Sequence, residues 1–154
     1  MTSLTLRHRR EIDLAKEQLV AAAESLLDRV GLRDIDRGQF GHSQLRNLCA
    51  VAAETESPAV VVNFIRFQMG RARKDAGWAR RVQQKRLGEC FIDELEGADA
   101  VISNCVGKIA ASDPIATQLV RMELIRQFLG FATRYLRFLD LDRPATAREA
   151  KSNE

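Results

Sequence analysis

Histidine is nearly absent from this chain. His8 and His42 are the only two, and neither has a cysteine or carboxylate at ligand spacing, so no histidine-based metal site is expected. Cysteine is scarce and odd in number. Cys49, Cys90 and Cys105 stand far apart in apolar sequence, with no knuckle or CxxC spacing, and they read as reduced thiols of a cytosolic protein. There is no GxSxG elbow, no GxxxxGK(S/T) phosphate loop and no GxGxxG turn. Those absences remove the commonest signatures of hydrolases, nucleotidases and dinucleotide enzymes. No apolar run approaches the roughly 20 residues that span a bilayer, and no long apolar core follows the first charges. A cytoplasmic protein with no membrane contact is expected. Proline and glycine are also few, three and nine, while alanine, leucine, arginine and glutamate are plentiful. That mix favours helices.

The 154 residues suit one domain, with loose ends at about 1–8 and 143–154. Ile12, Ala15, Leu19, Ala22, Ala23, Leu26, Leu27 and Val30 recur at steps of three and four, which predicts a helix from about Arg9 to Val30. Gly31 suits its left-handed cap. A loop follows to Gly41, pinned by Ile35 and Phe40. A second helix is expected from His42 or Ser43, capped by one of them. Ser57 and Pro58 give a cap-then-proline start to a third. It is apolar nearly all round through Val61, Val62, Phe64, Ile65, Phe67 and Met69, so it is expected at the centre. Phe91 to Ile109 reads as one amphipathic stripe. Asp113 and Pro114 repeat the start signal for a last helix to Leu139, apolar on two sides. With no second strand to pair, the expectation is an all-α compact bundle of five to six helices.

Glu89, Asp93 and Glu96 form carboxylate pairs at helical spacing. Opposite an apolar stripe, they read as a solvated acidic face rather than acid/base machinery. No enzyme, cofactor or metal is expected.

The charge is concentrated in one place. Arg66, Arg71, Arg73, Lys74, Arg80, Arg81, Lys85 and Arg86 fall within 21 residues, with Asp75 the only acid. This stretch carries +7 and the rest of the chain −4. A cationic segment on a mildly acidic body points at a polyanion, most often nucleic acid. If the third helix continues past Gly70, then Arg71, Lys74, Trp78, Arg81 and Lys85 align as a ridge. Arginine suits phosphate because its fork donates two parallel bonds. Trp78 either stacks on a base or anchors the ridge in the core.

Several short motifs resemble a known family. Ser43-Gln44-Leu45-Arg46, the following Leu48, Gly70-Arg71 after an apolar helix, and the aromatic-rich Phe128 to Phe138 are similar to the small helical subunit of type III-A CRISPR effector complexes, the Csm type. The resemblance covers about Phe40 to Leu139. It implies a non-catalytic subunit that stacks in several copies along the channel holding guide RNA and target RNA. It also implies contacts with the backbone and large subunits of the complex. Arg46 and Arg71 are RNA-facing by that resemblance. The other cations follow from charge and spacing. Two further readings stand beside it: a protein–protein adaptor whose basic face meets an acidic partner, and a helical DNA-binding regulator.

Overall fold

The computed structural model describes residues 3–141 and 143. Six α-helices follow in order: α1 (Leu6–Arg29), α2 (His42–Glu54), α3 (Pro58–Arg71), α4 (Leu87–Glu96), α5 (Val101–Ile109) and α6 (Pro114–Leu139). Between α3 and α4 lie a 3₁₀ turn, Gly77–Ala79, and two short strands, β1 (Arg81–Val82) and β2 (Lys85–Arg86). The strands pair antiparallel, Arg81 with Arg86 and Val82 with Lys85. The all-α bundle is as expected, and the two short strands are an addition to it. One contiguous apolar cluster runs through all six helices.

Helix α1 starts earlier than its periodicity suggests. Thr5 caps it: its hydroxyl accepts from the His8 amide at 3.1 Å, and the His8 ring accepts from the Thr5 amide at 3.2 Å. This reciprocal pair satisfies two otherwise orphaned donors. The expected loose arm is therefore helical from Leu6. Residues 1 and 2, and 144–154 of the expected loose tail, lie outside the described residues. Arg143 is docked, its guanidinium donating to the Ile35 carbonyl at 2.8 Å.

The helix ends at Gly31, φ +74°, where the Leu32 amide reaches back to the Leu27 carbonyl and the Gly31 amide to Asp28. That paired closure needs a left-handed residue, which glycine adopts without steric cost. The loop beyond is pinned as expected, with Ile35 and Phe40 both buried.

Helix α2 is capped differently from expectation. Gly41, not His42 or Ser43, is the extended residue before it, and the Gln44 side chain accepts the Gly41 amide at 2.9 Å. His42 is drawn away to Asp140. Ser57 and Pro58 do open α3, as expected.

The central helix is α6, not α3. It packs against α1, α2, α3 and α5 and buries residues on both sides, from Ala116 to Leu139. Only Val61, Val62 and Ile65 of α3 are fully buried. Its Val60 and Phe67 face solvent. The Asp113 carboxylate caps α6 by accepting from the Ile115 and Ala116 amides at 3.0 and 3.3 Å.

The single stripe from Phe91 to Ile109 is two helices. Gly97 breaks it: a Cβ there would sit 2.3 Å from the Asp93 carbonyl oxygen. The chain turns through Gly97–Ala100 and restarts, so both halves still face the core.

Candidate nucleic-acid interface

Helix α3 stops at Arg71 because Ala72 is extended, φ −67° and ψ 151°. The ridge expected from Arg71 through Lys85 therefore does not exist. The cationic stretch folds instead into a compact lobe built on Trp78.

Trp78 is 3% exposed and edge-on to two rings, Phe40 at 4.8 Å and Phe91 at 5.1 Å between centroids. It anchors the lobe in the core and leaves little ring surface for a base, which fits the anchor of the two expected roles. The next residues tie the lobe shut. The Leu87 amide donates to the Arg80 carbonyl at 2.8 Å, and the Arg86 guanidinium donates to the Ala79 carbonyl at 2.7 Å. Two non-glycine residues take left-handed backbone to make these turns, Asp75 at φ +58° and Gln83 at φ +59°.

The eight cations separate into two groups. Arg66 pairs with Glu96 at 3.6 Å, Lys85 with Asp93, and Arg86 with Asp75 at 3.3 Å. Thus α4 supplies two of the neutralising carboxylates, and the acidic face read as solvated is partly engaged. The hydrogen bond to Asp93 also raises the Lys85 ammonium above its ordinary pKa. Arg80 donates to the neutral Gln39 carbonyl oxygen at 2.6 Å. Arg71, Arg73, Lys74 and Arg81 are exposed, and no carboxylate among the described residues lies within 4.0 Å of them.

Arg73 sits between two open clefts. One, of about 220 Å³, is lined by Gln44, Gln68, Arg71 and Arg73. The other, of about 470 Å³, is lined by Arg66, Arg73, Lys74 and Arg86 together with the acids Asp75 and Glu89. The structure thus brings Arg66, Arg71, Arg73, Lys74 and Arg86 around one rim. Lys85 is turned to a different surface, beside Arg29 and Gln83. Arg46 stands exposed on α2, outside both clefts, although Gln44 one turn-edge away lines the first.

Sequence spacing missed a polar cluster at the opposite end of the chain. The Asp140 carboxylate accepts from Arg37 at 2.7 Å and from the His42 ring at 2.5 Å, with the Arg143 guanidinium at 3.7 Å. Arg37 also donates to the Leu32 and Ile35 carbonyls at 2.7 and 3.0 Å. This knot fastens the loop, the start of α2 and the end of α6 together. Its members lie about 100 residues apart, so no local motif could reveal it. Two other arginines serve carbonyls: Arg126 donates to Ala52 and Thr55 at 2.9 and 2.7 Å, and Arg121 to Leu95 at 2.9 Å. These close the ends of α2 and α4.

The three thiols are free, with Cys105 buried and Cys49 and Cys90 half-buried. Burial pushes the Cys90 and Cys105 thiols up, away from reactive thiolate. Among the described residues no three His, Cys, Asp or Glu side chains gather into a metal site, and no helix is long and apolar enough to cross a membrane.

The fold and site together define a helical bundle with one cationic lobe held on an aromatic anchor. Comparison with family models, with curated proteins and with solved structures returns no match.

Proposed function

We propose that this protein binds the phosphate backbone of single-stranded RNA through the lobe, as a non-catalytic small subunit of a type III CRISPR effector in the cytoplasm. The observation that carries the RNA-binding part is the exposed, uncompensated set Arg71, Arg73, Lys74 and Arg81 on a folded lobe. Elsewhere some cations pair with acids, as in Arg7–Glu11, Lys16–Asp13 and Arg126–Glu123, and others, such as Arg9, Arg10, Arg134 and Arg137, are exposed without a carboxylate partner among the described residues; the lobe differs in the density of such cations along the chain. Arg66, Arg80 and Arg86 border the set and can exchange their present partners for phosphate, while Arg46 extends it along α2. The resemblance in Ser43–Arg46 and Gly70–Arg71 supports the effector part. In that role guide RNA and target RNA lie along the lobe. The outer side of α6, where Phe138 and Leu141 are exposed, meets backbone subunits, the large subunit or a further copy.

Fluorescence anisotropy with a labelled single-stranded RNA tests the first part. Four phosphate contacts give a log–log salt slope of about −3. Changing Arg71, Arg73, Lys74 and Arg81 together to Glu should abolish binding while the thermal melt stays cooperative. Wild-type affinity in that variant refutes the proposal. Purification of the tagged protein from its host at low salt tests the second part. Discrete RNA lengths with larger co-purifying proteins support it. One acidic protein partner that survives nuclease, with no RNA, favours the adaptor.

A further inference from the structure

With Trp78 in the core, the lobe still presents one aromatic ring. Phe67 is 59% exposed, near the end of α3. The Arg71 guanidinium lies over it, 5.8 Å from the ring centroid. The neighbouring backbone is open as well: a Cβ added at Gly70 would meet nothing within 4 Å. A ring this exposed contributes little burial to folding, which leaves its surface available to a partner. The other strongly exposed ring, Phe138, has different surroundings. Its groove includes Glu24, and its stacking neighbour Tyr135 donates to the Asp28 carboxylate at 2.8 Å. Arg134 shares that groove with Glu24, whereas Arg71, which lies over Phe67, lines a cleft with Arg73, Gln44 and Gln68 and no carboxylate.

We propose that Phe67, backed by Arg71, is a base-stacking platform: a single strand whose phosphates sit on Arg71, Arg73 and Lys74 lays one base against the free part of the ring. This rests on the RNA-binding reading and adds its contact with the bases. Charge complementarity selects the occupant, because a protein side chain seated there would also have to satisfy the surrounding cations. Stacking on an aromatic ring tolerates any base, so the site should show little sequence preference.

The test compares wild type, Phe67→Ala and Phe67→Trp against two probes of equal length, a single-stranded RNA and the same ribose-phosphate strand without bases. Phe67→Ala should weaken RNA binding about tenfold, the lower part of the range for losing one stacked base. It should leave the salt slope and the base-free strand unchanged. Phe67→Trp should restore affinity, and RNA should quench its new indole, since Trp78 is buried. Unchanged RNA affinity in Phe67→Ala overturns the inference, as does an equal loss on both strands. Loss of self-association with RNA affinity intact overturns it too, and assigns the ring to a protein contact. If wild type binds neither strand, the RNA reading fails and this one fails with it.

Discussion

Trp78→Ala is the sharpest test of how the lobe is built. The indole is the only tryptophan in the chain, 3% exposed, and edge-on to Phe40 and Phe91. Removing it deletes roughly 150–200 Å² of buried apolar area, or about 4–5 kcal/mol of transfer free energy as an upper bound. Two edge-to-face pairs add about 1 kcal/mol together or more, while partial collapse of the cavity returns some of the loss. A net cost of about 4 kcal/mol is expected, within the usual span for large aromatic truncations. For a chain this long that corresponds to a fall in Tm of about 12 °C. Urea denaturation followed by circular dichroism measures it. Wild-type emission supplies a second readout, since a core indole resists acrylamide quenching. Trp78→Phe keeps a ring and should cost far less while binding RNA like wild type. Free quenching in the native protein, or a cost under about 1 kcal/mol for Trp78→Ala, refutes the anchor. A loss of RNA binding in a well-folded Trp78→Phe would refute it in favour of stacking.

Two further predictions concern the frame. Burial pushes the Asp140 carboxyl up, but hydrogen bonds from His42 and Arg37, with the charge of Arg37, outweigh it and hold the group below its ordinary value. A carboxylate with a depressed folded pKa contributes stability that is full above the unfolded pKa, about 3.9, and is lost as pH falls through the folded value. Wild type should therefore lose stability below about pH 4 in a way that Asp140→Asn does not. At neutral pH that variant should itself cost about 2 kcal/mol, from weakened charge-assisted bonds, as read by urea titration across pH. Gly97→Ala should cost about 2 kcal/mol or more in the same assay, because its Cβ meets a backbone oxygen rather than a side chain that can turn aside.

The helices were legible because their apolar residues recur at three and four. Ile12 through Leu27 bury as their spacing requires, and so does most of the apolar spacing of α6, although its Ile115 and Phe138 are exposed. Gly31, Ser57, Pro58, Asp113 and Pro114 marked boundaries for local steric and hydrogen-bonding reasons, and local reasons suffice there. The centre of the bundle was not legible. Apolar content all round α3 suggested burial, yet its Val60 and Phe67 are exposed, while α6 takes the middle. Hydrophobicity records what a helix can bury, and the number of neighbours it obtains is a property of the whole packing. The lobe was misread for a related reason. Arg71 to Lys85 fit a helical period, but Ala72 is extended and Asp75, Gly77 and Gln83 all take positive φ. Nothing in a 3.6-residue count registers those turns. The Asp140 knot was invisible because its partners meet only after folding.

The charge pattern bears on what the lobe is for. On α1 and α6 some cations have an acid beside them, as in Lys16–Asp13 and Arg126–Glu123, while Arg9, Arg10, Arg134 and Arg137 do not. On α4, Asp93 and Glu96 fold back onto Lys85 and Arg66 at the margins of the stretch, while Glu89, nearer in sequence, lines the cleft that Arg73 and Lys74 also line. Asp75, the one acid inside it, is taken by Arg86. The middle, from Arg71 to Arg81, is left without a carboxylate. Like charges are crowded further where Arg81 stands opposite Arg86 across the two strands, an arrangement that disfavours the hairpin. Arg86 relieves part of that by binding Asp75 and the Ala79 carbonyl, but Arg81 has no such relief. The fold thus pairs Arg66, Lys85 and Arg86 with carboxylates and leaves Arg71, Arg73, Lys74 and Arg81 without one among the described residues. A polyanion bound as proposed would supply negative charge to Arg71, Arg73, Lys74 and Arg81 at once and release its own counterions in doing so.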